Sequence, residues 1–426
     1  MSNLVSLFGI VPEDWKIDKI GDIFTLSQGL QISSTKRIQE KKDNYIPLLK
    51  ITDLPHRKFS EFVTKIEPQY IASVNDIIYT RTGNVGLVYT DVEGCVHNNC
   101  FKVNFERDLF DKYYVYYYLK SKQVFIYSNQ VATGSVQKDL THPSFKSCIF
   151  AYPTLSEQNK IGIIIKNFDD KIELNNQMNQ TLEDMATALF KEWFENFNFP
   201  NDEGKAYKEN SGEFKSSELG EIPVGWEVKR LFETDIVIED GDRGKNYPNN
   251  SQLFHKGFCP FLNNKNIIGD YINFDKTDFI TEKKFNAMGK GIVSVDDIVL
   301  TTRGSIGNVG LFHKNLPFRF SRINSGMVII KNNEDFTCNY LYTLFKSKEM
   351  KNQFMSISSG SVQKQLPIRD LKNLVLLKPL KNIQNKFEDI ISPIFEQIQQ
   401  NQQQNQTLKQ QRDTLLPKLM SGEIRV

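Results

Sequence analysis

The sequence predicts an α+β protein built as two similar globular domains, each closed by a long helix. Three observations carry that prediction. One unit of sequence occurs twice, each copy opens with short β-branched and aromatic runs, and each copy ends in a sustained apolar seam of 3.5-residue period.

At 426 residues the chain exceeds one ordinary core and suits two or three domains. Its apolar fraction of 39%, with 12% aromatic residues, supports buried cores and excludes wholesale disorder. The five cysteines, Cys95, Cys100, Cys148, Cys259 and Cys338, form no CxxC pair and read as reduced intracellular thiols. The first residues lack a basic flank before their short apolar run, so they make a poor secretory signal. No segment approaches the ~18 consecutive apolar residues of a membrane span. A cytoplasmic protein without a membrane partner is expected. Net charge is only +2, from 53 basic and 51 acidic residues. Nucleic-acid binding would therefore need local positive charge, or partners that supply it.

The repeat is read by laying the chain on itself. Gly134-Ser135-Val136-Gln137-Lys138, followed by Leu140, returns as Gly360-Ser361-Val362-Gln363-Lys364, followed by Leu366, about 226 residues later. The same shift carries Leu119-Lys120-Ser121-Lys122 onto Phe345-Lys346-Ser347-Lys348, and Gln158-Asn159-Lys160 onto Gln384-Asn385-Lys386. It also carries Asn179-Gln180-Thr181-Leu182 onto Asn405-Gln406-Thr407-Leu408. Upstream the shift drifts: Asn84-Val85-Gly86-Leu87 meets Asn308-Val309-Gly310-Leu311, and Pro12 and Trp15 meet Pro223 and Trp226. A period this long is a duplicated domain and not a solenoid repeat. Constant-length halves build a common frame; length-variable halves hold loops, where binding usually sits.

Within the first copy, strands are expected at 45–51, 76–80, 85–89 and 101–105, then an amphipathic helix at 112–127. The second copy gives strands at 297–302, 309–312 and 327–330 and a helix at 339–354. The boundaries that follow are a first globular domain at 1–153, its closing helix at 154–198, a linker at 199–221, a second domain at 222–379 and its helix at 380–426. The linker, rich in Glu, Lys, Ser and Gly, has no periodicity.

The first seam runs Ile161, Ile165, Phe168, Ile172, Asn175, Asn179, Leu182, Ala186, Leu189, Trp193. The second runs Phe387, Ile391, Ile394, Ile398, Asn401, Asn405, Leu408, Arg412, Leu415, Leu419. A 40-residue helix of this kind spans roughly 60 Å. Asn175, Asn179, Asn401 and Asn405 hold matched interior positions, where buried amides cost stability and fix register. An antiparallel pair would set Asn179 against Asn401 and Asn175 against Asn405, with Phe168 opposite Arg412 as one poor layer. A parallel pair also matches asparagines, so periodicity leaves the direction open, as it does the possibility that each helix packs on its own domain. Pro393 should kink the second helix or delay its start. The Gln-rich stretch 397–411 reads as a solvated helix face.

Catalytic signatures are missing from the sequence. It has no Pro-Pro dipeptide for an Asn/Asp-Pro-Pro-aromatic methyltransferase segment, no P-loop, and no metal spacing among its five histidines. Cys95, His97 and Cys100 lie close together without a second ligand cluster. No cofactor and no metal is expected.

Candidate contacts with nucleic acid gather at matching strand ends. Thr80-Arg81-Thr82-Gly83-Asn84 in the first copy matches Thr301-Thr302-Arg303-Gly304-Ser305 in the second, and the candidates are Thr80, Arg81, Gly83 and Asn84 with Thr302, Arg303, Gly304 and Ser305. Arginine suits phosphates or guanine edges, hydroxyls and amides suit phosphates or bases, and glycine permits close approach. Ser135, Gln137 and Lys138, with Ser361, Gln363 and Lys364, admit the same reading, with a helix N-cap as the alternative. Lys50, Asn263 and Asn264 follow matching strands. A plain turn with a surface arginine is the bland alternative for the first set. The tyrosine run 113–118 reads as helix core rather than a base-stacking platform.

The Pro-x-x-Trp starts, the Thr-Arg turns, the two Gly-Ser-Val-Gln-Lys segments and the long closing helices resemble the specificity subunits of Type I restriction-modification systems. So does the stretch from Asn198-Phe199-Pro200 to Ile222-Pro223. The resemblance spans essentially the whole chain, and it rests on motif order and duplication rather than on any single motif. It implies a non-catalytic DNA reader of an adenine methyltransferase and endonuclease complex. Its two target-recognition domains would be separated by two antiparallel helices with pseudo-two-fold symmetry. Each domain would read half of a bipartite site in double-stranded DNA, and the helices would fix the spacer. They would also dock two methyltransferase subunits, to which two restriction subunits can join. A coiled-coil scaffold joining proteins without nucleic acid is the alternative, and an enzyme ranks last.

Overall fold

In the computed structural model, residues 5–210, 212–331, 334–360 and 364–426 are described. The chain forms two compact units: Met1–Leu174 with Gln404–Val426, and Asn175–Gln403. Each long helix gives one half to each unit. Among the described residues no helix is long and apolar enough to cross a membrane.

The first unit is built on a four-stranded antiparallel sheet in the order Thr25–Gln28, Cys100–Asn104, Ile77–Thr80, Val88–Tyr89. The β-branched, aromatic run Ile77–Thr80 is buried on both faces because two cores use its alternating side chains. Ile77 and Tyr79 face the helices and pack with Phe101 and Phe145, while Ile78 faces Leu49, Leu54 and Ala72. Leu49 and Ala72 belong to a second sheet, ordered Phe62–Val63, Ile46–Leu49, Gly94–Val96, Ile71–Ala72, in which Ile46–Leu49 and Gly94–Val96 run parallel. A two-stranded ribbon, Lys16–Lys19 with Ile149–Tyr152, joins the start of the domain to the long helix.

The second unit repeats this strand order. Its first sheet runs Val237–Asp240, Met327–Lys331, Ile298–Thr301, Val309–Leu311. Its second runs Asp278–Ile280, Cys259–Leu262, Phe320–Ile323, Ile292–Ser294, again with one parallel pair. Glu227–Arg230 pairs with Val375–Lys378 as the matching ribbon.

Most of the blocks that recur in the sequence do the same mechanical work in each unit. In Pro-x-x-Trp, the amide of Trp15 donates to the carbonyl of Pro12 and that of Trp226 to Pro223, both at 3.1 Å, which tucks each indole into a core. The single helices expected at 112–127 and 339–354 are each two helices. Lys112–Lys120 gives way to Lys122–Val131, and Cys338–Lys346 to Lys348–Ile357. The break falls on the duplicated serine. Ser121 accepts from the Val124 amide at 3.3 Å and Ser347 from Met350 at 3.2 Å, so each hydroxyl caps a new helix. Gln158 and Gln384 are buried amides that bind their surroundings at both ends. Gln158 Oε1 accepts from the Asp111 amide at 3.0 Å and its Nε2 donates to the Pro153 carbonyl at 3.0 Å. Gln384 does the same with Thr337 and Pro379, both at 2.9 Å. The tyrosine run is core: Tyr114 donates to the Ala151 carbonyl at 2.7 Å and Tyr118 to that of Ile149 at 3.1 Å.

The long helices are Leu155–Phe190, continued by a π turn at Lys191–Glu195, and Lys381–Met420. They pair antiparallel within each unit. In the first unit Ile161 and Ile165 share a core with Leu419 and Met420. In the second, Ala186, Phe190 and Trp193 share one with Phe387, Ile391 and Ile398. Asn401 Nδ2 donates to Asn179 Oδ1 at 2.8 Å, the layer that the antiparallel register requires. Asn175 and Asn405 are buried as well. The layer expected to be poor is relieved by a neighbour: Arg412 pairs with Asp169, not with the ring of Phe168. Burial works against the Asp169 charge, yet Lys120 and Arg412 hold its carboxyl below the usual range.

Pro393 does not delay the second helix, which begins at Lys381 and runs through it. An interior proline costs about 3 kcal/mol. Ile391, Phe395 and Ile398, all buried around it, each contribute about 1.5–3 kcal/mol and outweigh that cost. The segment 199–221 also carries structure that its composition does not announce. Phe199 stacks between Tyr207 at 4.6 Å and Trp226 at 4.9 Å, and Phe214–Ser217 forms a hairpin with Gly220–Pro223.

The Asn179–Asn401 layer yields a stability prediction. Asn179→Leu strands a buried amide and should cost about 1–3 kcal/mol. Adding Asn401→Leu should recover most of the loss, because an apolar layer replaces a polar one. Urea denaturation of the four members of this double-mutant cycle measures the coupling; simple additivity would show that the two amides act independently.

Candidate nucleic-acid interface

In each unit the central strand leaves the sheet and turns sharply. Thr80 holds the first turn: its hydroxyl donates to the Asn84 carbonyl at 2.5 Å and accepts from the Leu87 amide at 2.9 Å. Thr301 does the same with Ser305 and Asn308. Gly83 and Gly304 take positive φ, at 83° and 72°, where a side chain would be strained.

Gly134-Ser135-Val136-Gln137-Lys138 is a hairpin laid beside the first turn, not a helix N-cap, and the residues flanking the second copy pair in the same way. Thr133 and Asp139 exchange backbone bonds at 2.9 and 2.8 Å, and Ser359 and Gln365 at 3.0 and 2.9 Å. The Leu140 amide then donates to the Arg81 carbonyl at 2.8 Å, and the Leu366 amide to Thr302 at 2.9 Å. These bonds make Arg81 equivalent to Thr302, and Thr82 equivalent to Arg303. The two arginines of the sequence motif therefore stand one residue apart, and Arg81 is half-buried where Arg303 is exposed.

Arg81 is committed to the fold. It donates to Gln28 Oε1 at 3.0 Å and to both carboxylate oxygens of Asp139 at 3.0 and 2.8 Å. Thr82 also donates to Asp139, at 2.7 Å. Burial opposes the Asp139 charge, but the hydrogen bonds from Thr82 and Arg81 hold its carboxyl below the ordinary range. Lys138 is drawn back onto Asn129, at 3.2 Å from both its carbonyl and its side-chain oxygen. Lys50 is likewise internal, bonded to Ser60 at 2.9 Å and facing Glu61 at 3.3 Å. Ser135 and Gln137 are exposed at the hairpin tip.

At the matching corner of the second unit, cations are free. Arg303, Lys265 and Lys364 are exposed, and none has an acidic partner among the described residues. Asn264 ties two of these segments together, donating through its amide to the Arg303 carbonyl. Asn263 caps the short turn that carries Lys265, accepting from its amide at 2.9 Å. Ser305 is exposed and Thr302 buried. Ser361 and Gln363 lie outside the described residues.

Sequence reading passed over Gln28 and Asp139, whose roles follow only from pairing across the sheet. It also passed over two loops that follow the first strand of the first sheet in each unit. They expose Lys36, Lys41 and Lys42 in one unit, and Arg243, Lys245 and Lys256 in the other. These loops share no motif, and their one signal was a place in the length-variable half of the repeat. Cys95 and Cys100 are buried, which pushes their thiols up to about 11 and about 12. Among the described residues no three His, Cys, Asp or Glu side chains gather as metal ligands.

Arg81→Ala should therefore loosen the first unit, seen as faster amide exchange over 133–140, whereas Arg303→Ala should leave folding unchanged. The Asp139 carboxyl is depressed in the folded state, so its stabilisation is present at neutral pH. It should be lost on acidification through that depressed value, below the ordinary ~3.9 of aspartate. Equal exchange behaviour in the two variants would refute the distinction.

Two stretches of the chain, residues 12–184 and 223–410, match the family model for the Type I restriction modification DNA specificity domain. The MjaIX specificity subunit of Methanocaldococcus jannaschii is 29% identical over 429 residues, covering 98% of this chain and 95% of that protein. The HindI specificity subunit of Haemophilus influenzae is 24% identical, covering 96% and 100%. The crystal structure of the Type I restriction-modification S subunit from M. genitalium shares the fold, with a TM-score of 0.60 at 19% identity and 96% coverage of each chain.

Proposed function

The chain belongs to the Type I restriction modification DNA specificity family, and we propose how it performs that family's DNA-specificity role. Each unit reads one half of a bipartite site in double-stranded DNA. The paired helices set the unread spacer and dock two methyltransferase subunits, with restriction subunits joining in complexes that cut. The chain itself is non-catalytic and works in the cytoplasm.

One observation carries this reading. The same strand order is built twice around the same turn, yet that turn and the loops beside it present different side chains in the two copies. A common frame with unlike faces is what two unlike half-sites require. Direct contact falls to the exposed groups: Arg303, Ser305, Lys265 and Lys364 in the second unit, and the loops bearing Lys36 to Lys42 and Arg243 to Lys256. Net charge near zero fits a reader whose methyltransferase partners share the phosphate contacts.

Mapping methylated adenines in DNA from cells carrying the complex should reveal a split motif with a fixed gap. A continuous motif, or none, would overturn the reading. Arg303→Ala in the assembled complex should weaken binding to that motif by about tenfold, the value of one good charged contact. Removing seven residues from one long helix should change the preferred gap or abolish binding, and an unchanged gap with unchanged affinity would refute the spacer role.

A further inference from the structure

We propose that the Gly134-Ser135-Val136-Gln137-Lys138 hairpin is a seat for the DNA sugar-phosphate backbone, which sets the register of its reader without reading bases. The proposal rests on the DNA-specificity reading above and assigns these residues a part within it.

Identity between the two units needs a cause, and for most matched blocks the cause is internal. The Pro-x-x-Trp starts make core turns, Ser121 and Ser347 cap helices, Gln158 and Gln384 bracket the long helices, and Asn179 completes a buried layer. The hairpin is different. Its glycine has an internal reason, since Gly134 sits at φ 95° with the Gln137 carbonyl oxygen 2.3 Å from where a Cβ would stand. Gly360 takes φ 101°. The three side chains that follow have none. Ser135, Val136 and Gln137 are exposed, Val136 fully at 101%, and their side chains bond nothing among the described residues. Their copies, Ser361, Val362 and Gln363, lie outside the described residues.

Two readers of unlike half-sites cannot both read bases with one pentapeptide. What the half-sites share is the phosphodiester backbone. The hairpin offers the chemistry for it. The backbone amides of residues 134–138 have no acceptor among the described residues, and they follow one another around a turn with a positive-φ glycine, which leaves them open to donate to an anion. The Ser135 hydroxyl and Gln137 amide add neutral donors. The Val136 methyls supply an apolar face for the neighbouring deoxyribose. The seat is rigid, because the Gly83 amide donates to the Lys138 carbonyl at 2.9 Å and Asp139 is clamped by Arg81.

Val136→Glu tests this without threatening the fold, since the side chain touches nothing. The assembled complex with its methyltransferase subunits is titrated with a duplex carrying the mapped motif and with one lacking it. Affinity for both should fall by about tenfold, with their ratio unchanged. A neutral methylphosphonate at one position per half-site should weaken the unaltered complex but not the variant. Loss of the motif duplex alone would mean base reading. Unchanged DNA affinity with release of a methyltransferase subunit would mean a protein contact. Either result, or no change at all, overturns the proposal and leaves the specificity role intact. Failure of the unaltered complex to prefer its motif would instead bring down the reading beneath it.

Discussion

Neither long helix can bury its apolar seam alone, and that shared need decides where every neighbouring element goes. In the first unit the early turns of one helix bury Ile161 and Ile165 beside Leu419 and Met420 from the last turns of the other. In the second, the roles exchange, with Phe190 and Trp193 against Phe387 and Ile391. Polar groups that enter these seams come with partners, as Asn179 does with Asn401 and Asp169 with Arg412. Unpaired, each would cost more than a methylene of burial returns. The seams thus fix direction and layer together.

On that foundation the duplication separates frame from face. Strand order, helix caps and glutamine brackets are kept because each closes a hydrogen-bond account inside the protein. The corner where strand, turn and hairpin meet has no such constraint on what it shows to solvent. Arg81 is absorbed as a brace, while Arg303, one residue along, is released. A shift of one residue along the turn separates a structural cation from a presented one.

The helices and the central strands were legible in the sequence because their apolar spacing is long and regular. The interior asparagines even carried the antiparallel layer once the direction was given. Breaks at Ser121 and Ser347 were hidden by continuous apolar periodicity, although the serines lay inside a block already seen to repeat. Strands such as Thr25–Gln28, Val237–Asp240 and Phe62–Val63 are two to four residues long, too short for alternation to register. The fate of Arg81 depended on Asp139 and Gln28, more than fifty residues away on either side, and no local pattern encodes a pairing of that kind. The exposed loops differ between the copies, so duplication, the strongest signal in the chain, was silent where the faces diverge.

The discontinuity of the first unit bears on how the protein is made. Its core waits for Leu419 and Met420, and Arg425 reaches Asp14 and Glu157 only when the final residues emerge. Translation at about 5–20 residues per second places on the order of 10–50 s between the end of its first segment at Leu174 and the start of its second at Gln404. The contiguous second unit can mature on the ribosome during that interval. Until then the first unit lacks Leu419 and Met420 from the core that holds Ile161 and Ile165.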